Sequence, residues 1–212
     1  MTKFIMIRHG FSVANNEKRF AGHSDFPLTD LGRLQAERCA EALKGERIDA
    51  IYASDLKRAF ETALPVAEAH SLKVIPHKGL REIYAGEWEG MTFDELCERY
   101  SESFNVWKED NGRSHPDGGE SVAELYARVT STLAEIAKMH GGETVCIATH
   151  ATPIRVVCTA ARGLGAEHMA EVKWTANASI SIFEFENGAF SAIATSLTDH
   201  LGELRTALPS NV

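Results

Sequence analysis

Arg8 and His9 stand side by side directly after the apolar run from Phe4 to Ile7. A strand made only for burial has no use for a cation and an imidazole at its exit. His150 occupies the matching place after the run TVCIA at 144–148. Arg58 falls in the first turn of a predicted helix that follows the run AIYA at 50–53, and Glu82 follows a short run at 73–76. Guanidinium forks match phosphate oxygens, an imidazole can act as a nucleophile, and a carboxyl can move a proton. Together these groups suit phosphoryl transfer onto a histidine within a ring of donors. Singly they are weak. His150 alone reads as a satisfied core histidine, and Glu82 alone as a solvated loop acid. Arg58 is less easily dismissed, because the dipole at a helix start favours acidic residues there.

Other chemistries find less support. The chain has no G-x-x-x-x-G-K-[ST] loop, no G-x-G-x-x-G and no H-E-x-x-H, so neither a glycine cradle for a nucleotide nor a metal site is expected. Two histidines flanked by arginines would repel a metal cation. The net charge of −8 argues against a nucleic-acid or membrane-surface partner, although focused arginines can still govern a small cleft. No apolar run approaches the roughly 20 residues of a membrane helix, and the N-terminus lacks the pattern of a secretory signal. Cys39, Cys97, Cys146 and Cys158 show no paired spacing and are expected as buried free thiols. The expectation is a cytoplasmic protein that needs no cofactor and acts on a small phosphorylated metabolite. A homo-oligomer stays open.

The elements that must position these residues alternate. Short apolar runs at 4–7, 50–53, 73–75 and 144–148 read as strands covered on both faces. Amphipathic stretches at about 30–44, 55–70 and 121–140 read as helices. Thr29 is placed to cap the first, and Ser121 with Glu124 forms a capping box for the third. Near the C-terminus, Asn187-Gly188 between two strand-like runs signals a hairpin. The pattern predicts an α/β fold: a three-layer α/β/α sandwich whose central sheet is mostly parallel, with one antiparallel strand near an edge. Residues about 83–118 fit no simple crossover and are expected as a helical lid within a single domain spanning 1–212. Most of their aromatics, among them Tyr84, Trp88, Phe104 and Trp107, are expected as local core. The tail from Asp199 onward gives no signal. In open α/β sheets, ligands sit outside the carboxyl ends of the strands, where the candidate residues would meet.

Several blocks in order resemble the histidine phosphatase superfamily, the phosphoglycerate mutase-like proteins, and cover most of the chain. They are RHGFSVANNEKRFAGHSDFPLTDLGRLQA, SDLKRAFETA, LREIYAGEWEG, HPDGGES and IATHATPIR. The resemblance implies that His9 is the nucleophile that becomes phosphorylated and that Arg8, Arg58 and His150 bind the phosphoryl oxygens. It adds Asn15 as a further donor and Glu82 as the acid. Gly22 belongs to the opening block, and His23 beside it is a candidate contact for the leaving group, weighed against a plain loop role. The family often has glycine after the second histidine, whereas Ala151 stands here, setting a methyl beside a phosphate-facing N–H.

Within that family, two outcomes for a phosphohistidine compete. A phosphatase, as in the ribazole-phosphatase-like branch, gives the phosphoryl group to water; a mutase returns it to another hydroxyl. NNEKRFAG resembles the mutase form, but the segment after Glu82 is shorter than mutases carry and lacks their adjacent arginines. GEWEG and PDGGES look more like the broad phosphatase and ribazole-phosphatase branch, which makes a metal-independent phosphatase the expectation. A non-catalytic phospho-ligand binder would need neither a nucleophile nor an acid.

Overall fold

Side chains alternate across the first strand, β1 (Thr2–Arg8), of the computed structural model, which describes residues 1–207. Phe4 and Met6 enter one hydrophobic core, and Ile5 and Ile7 enter another. The two-residue period of a strand produces this division, and it requires helices on both faces. On the Ile5 face lie α2 (Asp30–Leu43) and α3 (Lys57–Ala69), contributing Cys39, Leu43, Ala63 and Val66. On the Phe4 face lie α6 (Val122–Met139) and α7 (Ala151–Ala161), contributing Leu125, Val129, Leu133, Ile154 and Val157. The result is the expected three-layer sandwich.

The remaining strands are β2 (Ala50–Ala53), β3 (Val74–Pro76), β4 (Thr144–Thr149), β5 (Ile180–Glu186) and β6 (Ala189–Leu197), and the sheet order is β3-β2-β4-β1-β5-β6. The first four in this order are mutually parallel, while β5 is antiparallel to both β1 and β6. One strand, next to the edge, thus runs against the rest. Asn187 and Gly188 both have positive φ, 53° and 83°, as a two-residue hairpin with the twist of its strands demands. Thr29 caps α2 through the Gly32 N–H at 3.1 Å, and both halves of the Ser121–Glu124 capping box form at α6.

Between β3 and α6 lie α4 (Phe93–Arg99) and α5 (Ser101–Asp110). Trp88, Phe104 and Trp107 are buried here with Phe20, and meet edge to face at 5.0 to 5.5 Å between neighbouring ring centroids. They join the same core as Phe4 and Met6, so the inserted helices share the sheet's interior. Tyr84 is an exception to the expected burial and is exposed. Cys39, Cys146 and Cys158 are buried free thiols, but Cys97 on α4 is exposed: its helix buries only Phe93 and Leu96. The apparently silent tail forms a 3-10 turn over Asp199–Leu204. It buries Leu201 and presents the Leu204 carbonyl to Gln35 Nε2 at 2.7 Å. No helix among the described residues is long and apolar enough to cross a membrane.

Candidate active site

β2, β4 and β1 are adjacent, so their carboxyl ends share one rim. Register sets Arg8 beside Thr149 and Ala53 beside Ala148, which brings His9, His150 and Ser54 together just beyond the sheet. A cleft enclosing about 630 Å³ of space, open to solvent, lies over this rim. Arg8, His9, Asn15, Gly22, Arg58, Glu82 and Ala151 all line it.

His9 is 5% exposed. Its Nδ1 lies 2.8 Å from the Gly10 carbonyl oxygen. A carbonyl only accepts, so Nδ1 carries the proton and the lone pair is on Nε2. Burial, followed by the charges of Arg58 and Arg8, holds the ring well below the usual imidazole range, and so neutral. The backbone around it is fixed. The Gly10 N–H donates to Thr62 Oγ1 at 3.0 Å, and that hydroxyl donates to the Arg58 carbonyl at 2.7 Å. Gly10 also rests against Gly32 in the first turn of α2, where a Cβ on either residue would overlap backbone.

Arg58, on the first turn of α3, is fully buried. Its two terminal nitrogens donate to the carbonyls of Ser24 (2.8 Å) and Gly22 (2.7 Å). Arg8 donates to the Thr175 carbonyl. Burial lowers both guanidinium pKa values to about 10, so both remain cationic at neutral pH. The Nε of each is buried with no partner among the described residues. Both guanidiniums line the cleft, and two cations facing one cavity suit an anion.

Asn15, in the single turn α1 (Val13–Asn16), spends its carbonyl oxygen on the Ser12 N–H, the Ser12 hydroxyl and Asn177 Nδ2. Its Nδ2 is therefore the donor it can offer the cleft. Glu82 accepts the Ile83 N–H at 2.9 Å and the Thr152 N–H, at the start of α7, at 3.4 Å. The Ala151 N–H, next to it in α7, has no acceptor among the described residues.

His150 sits behind His9 and does not line the cleft. It is fully buried, with ring centroids 5.2 Å apart. Burial, then Arg58 and His9, holds it well below the usual imidazole range. Ser54 Oγ, 2.8 Å from Nε2, already accepts the Leu56 N–H. With one proton and a second lone pair, that hydroxyl can pair with Nε2 in either ring tautomer, while Nδ1 is buried without a partner among the described residues.

Two cations, a neutral imidazole with a free lone pair and a carboxyl thus line one cleft. The model of the histidine phosphatase superfamily (branch 1) matches residues 4–198. The chain belongs to that superfamily. Phosphoserine phosphatase 1 of Hydrogenobacter thermophilus is 37% identical over 206 residues, 96% of each chain. Phosphoglycerate mutase-like protein 4 of Arabidopsis thaliana is 35% identical, over 88% of this chain and 80% of its own. The solved structure of Bacillus stearothermophilus YhfR superposes with a TM-score of 0.90 at 30% identity, covering 95% of this chain and 100% of the other.

In this histidine phosphatase, His23 is turned away from the cleft. It faces an adjoining pocket with Tyr84, and its Nε2 lies 2.9 Å from the Glu82 carbonyl oxygen. Several partners of the site gave no signal in the sequence. Arg128 of α6 donates to the carbonyls of Gly79, Arg81 and Glu82 at 3.0 to 3.1 Å and pairs in bidentate fashion with Glu120 at 2.7 and 2.8 Å. Glu120 in turn bonds Tyr84 through backbone and side chain. The strip carrying Glu82 is thus held on both sides. Glu89 accepts from His23, Ser24 and Ala85, fixing the loop that Arg58 grips. Asn177 bridges the His9 carbonyl and Asn15. Such contacts link positions too distant in sequence for any local pattern to expose.

Proposed function

We propose that this phosphatase is metal-independent and hydrolyses small-molecule phosphate monoesters through a phosphohistidine at His9. The observation that carries the reading is the Nδ1 contact to the Gly10 carbonyl: it leaves Nε2 as an unprotonated nucleophile in a cleft that Arg8 and Arg58 also line.

His9 Nε2 attacks phosphorus, and the bond from phosphorus to the ester oxygen breaks. Arg8, Arg58, Asn15 and the Ala151 N–H take the phosphoryl oxygens, and His150 backs the His9 ring from behind. These donors are set before the reaction and need no reorganisation as charge develops. Glu82 gives its proton to the departing alkoxide. Water then attacks the phosphorus of the phosphohistidine, Glu82 takes a proton from that water, and the N–P bond breaks to release phosphate. The second half returns His9 and Glu82 to their starting states. Gly22 serves this chemistry by holding Arg58.

Relatives support the reading unequally: one is named for phosphoserine hydrolysis and another for its likeness to a mutase. The mutase reading differs only in the acceptor of the phosphoryl group. The deciding experiment incubates wild type and His9→Ala with phosphate esters under EDTA, follows phosphate release, and traps the enzyme in base. An acid-labile phosphoryl group on wild type alone, with phosphate release unaffected by EDTA and needing no bisphosphorylated primer, is the expected outcome. Turnover that needs magnesium, or persists in His9→Ala, rejects it.

A further inference from the structure

Beyond the phosphoryl donors, the cleft is walled by Phe20, Ile83, Phe93, Trp107 and Trp174. These side chains are fixed. Trp107 meets Phe20 edge to face at 5.0 Å and Trp174 at 6.1 Å between centroids. The Arg155 guanidinium lies 4.0 Å from the centre of the Trp174 ring. It is held there by the Val172 and Met169 carbonyls at 3.0 and 2.6 Å. Trp174 alone among the five is more than slightly exposed.

The same region offers little to a charged alcohol. Its single further cation, Arg19, is engaged by Glu17 at 2.6 Å and by the Gly90 carbonyl at 2.8 Å. The Thr152 N–H is committed to Glu82. A carboxylate placed against these rings would lose water and could draw only on the remaining terminal nitrogen of Arg19, a partly exposed side chain already paired with Glu17, whereas a flat apolar group would gain contact area and disturb nothing.

Resting on the phosphatase reading, we infer that this wall is the alcohol subsite and that it selects phosphate monoesters of apolar, preferably aromatic-tailed, alcohols over small zwitterionic ones. Trp174 is its specificity-determining residue. Phosphoserine, named in a relative 37% identical, is then a poor substrate for this chain.

The test compares 3-phenylpropyl phosphate with propyl phosphate, whose leaving groups are equally poor, and with phosphoserine. Wild type is expected to show a kcat/KM about 10- to 100-fold higher for the phenylpropyl ester than for the propyl ester, the scale of burying a phenyl group. Phosphoserine is expected to fall below both. In Trp174→Ala the ratio of the two alkyl esters shrinks to within about 3-fold, a ratio that a general loss of activity does not move. If that variant is unfolded by circular dichroism, the wild-type ratio decides alone. A wild-type ratio near one overturns the subsite, as does faster turnover of phosphoserine that Arg19→Gln abolishes; both leave the phosphatase reading standing. Failure to hydrolyse any of the three esters overturns that reading instead.

Discussion

The imidazoles of His9 and His150 meet at 63°, with 5.2 Å between their centroids, and neither has a carboxylate hydrogen bond to keep it charged. Burial and the nearby arginines keep both neutral. With a substrate that has a good leaving group, kcat/KM is therefore expected to hold steady as pH falls from 7.5 through about 6.5, the ordinary imidazole value. NMR titration of the ring protons checks this directly; rings that protonate near 6.5 would contradict it.

The same two histidines tie stability to pH. Their folded values lie below the unfolded one, so between them the unfolded chain binds protons that the native state refuses. Stability is full above about 6.5 and is lost as pH falls below it, by up to ~1.4 kcal/mol per pH unit for each ring. Urea denaturation at pH 7 and 5.5 measures the loss. His150→Asn should flatten the slope.

Glu82 and Arg128 should share a signature. Glu82→Gln is expected to slow alkyl phosphates by about 100-fold or more while largely sparing 2,4-dinitrophenyl phosphate, whose leaving group needs no proton. Arg128→Met frees the three carbonyls that place Glu82. It should lower kcat in the same leaving-group-dependent way, less steeply, with KM little changed. Equal losses on both substrates would make Arg128 a purely structural residue and remove the acid role from Glu82.

Arg58→Lys keeps the charge and loses the fork. Lysine cannot hold the Ser24 and Gly22 carbonyls and reach a phosphoryl oxygen as well. A drop of about 100- to 1000-fold in kcat/KM is expected. The orphaned carbonyls should add a stability loss of ~1–3 kcal/mol, seen in thermal melts.

Gly32→Ala tests the close approach of α2 to the loop after His9. Its Cβ would overlap the Phe11 carbonyl, so a loss of ~1–3 kcal/mol is expected, together with slower turnover as Gly10 shifts. Gly45→Ala, with open space around it, is the control and should stay within ~0.5 kcal/mol of wild type.

The sequence alone determined whatever depends on neighbours along the chain. Alternating burial in β1, the caps at Thr29 and Ser121 and the hairpin at Asn187-Gly188 are local bargains between side chain and backbone, and the structure contains each. Strand-exit positions also pointed to Arg8, His9 and His150, because a parallel sheet sends such residues to one rim. Tertiary structure decided the rest. Only packing could turn His23 away from the cleft, bury His150 beneath His9, leave Cys97 exposed and recruit Arg128, Asn177 and Trp174. The protonation states follow the same division: a residue's type fixes its reference pKa, but desolvation and the charges nearby belong to the folded molecule.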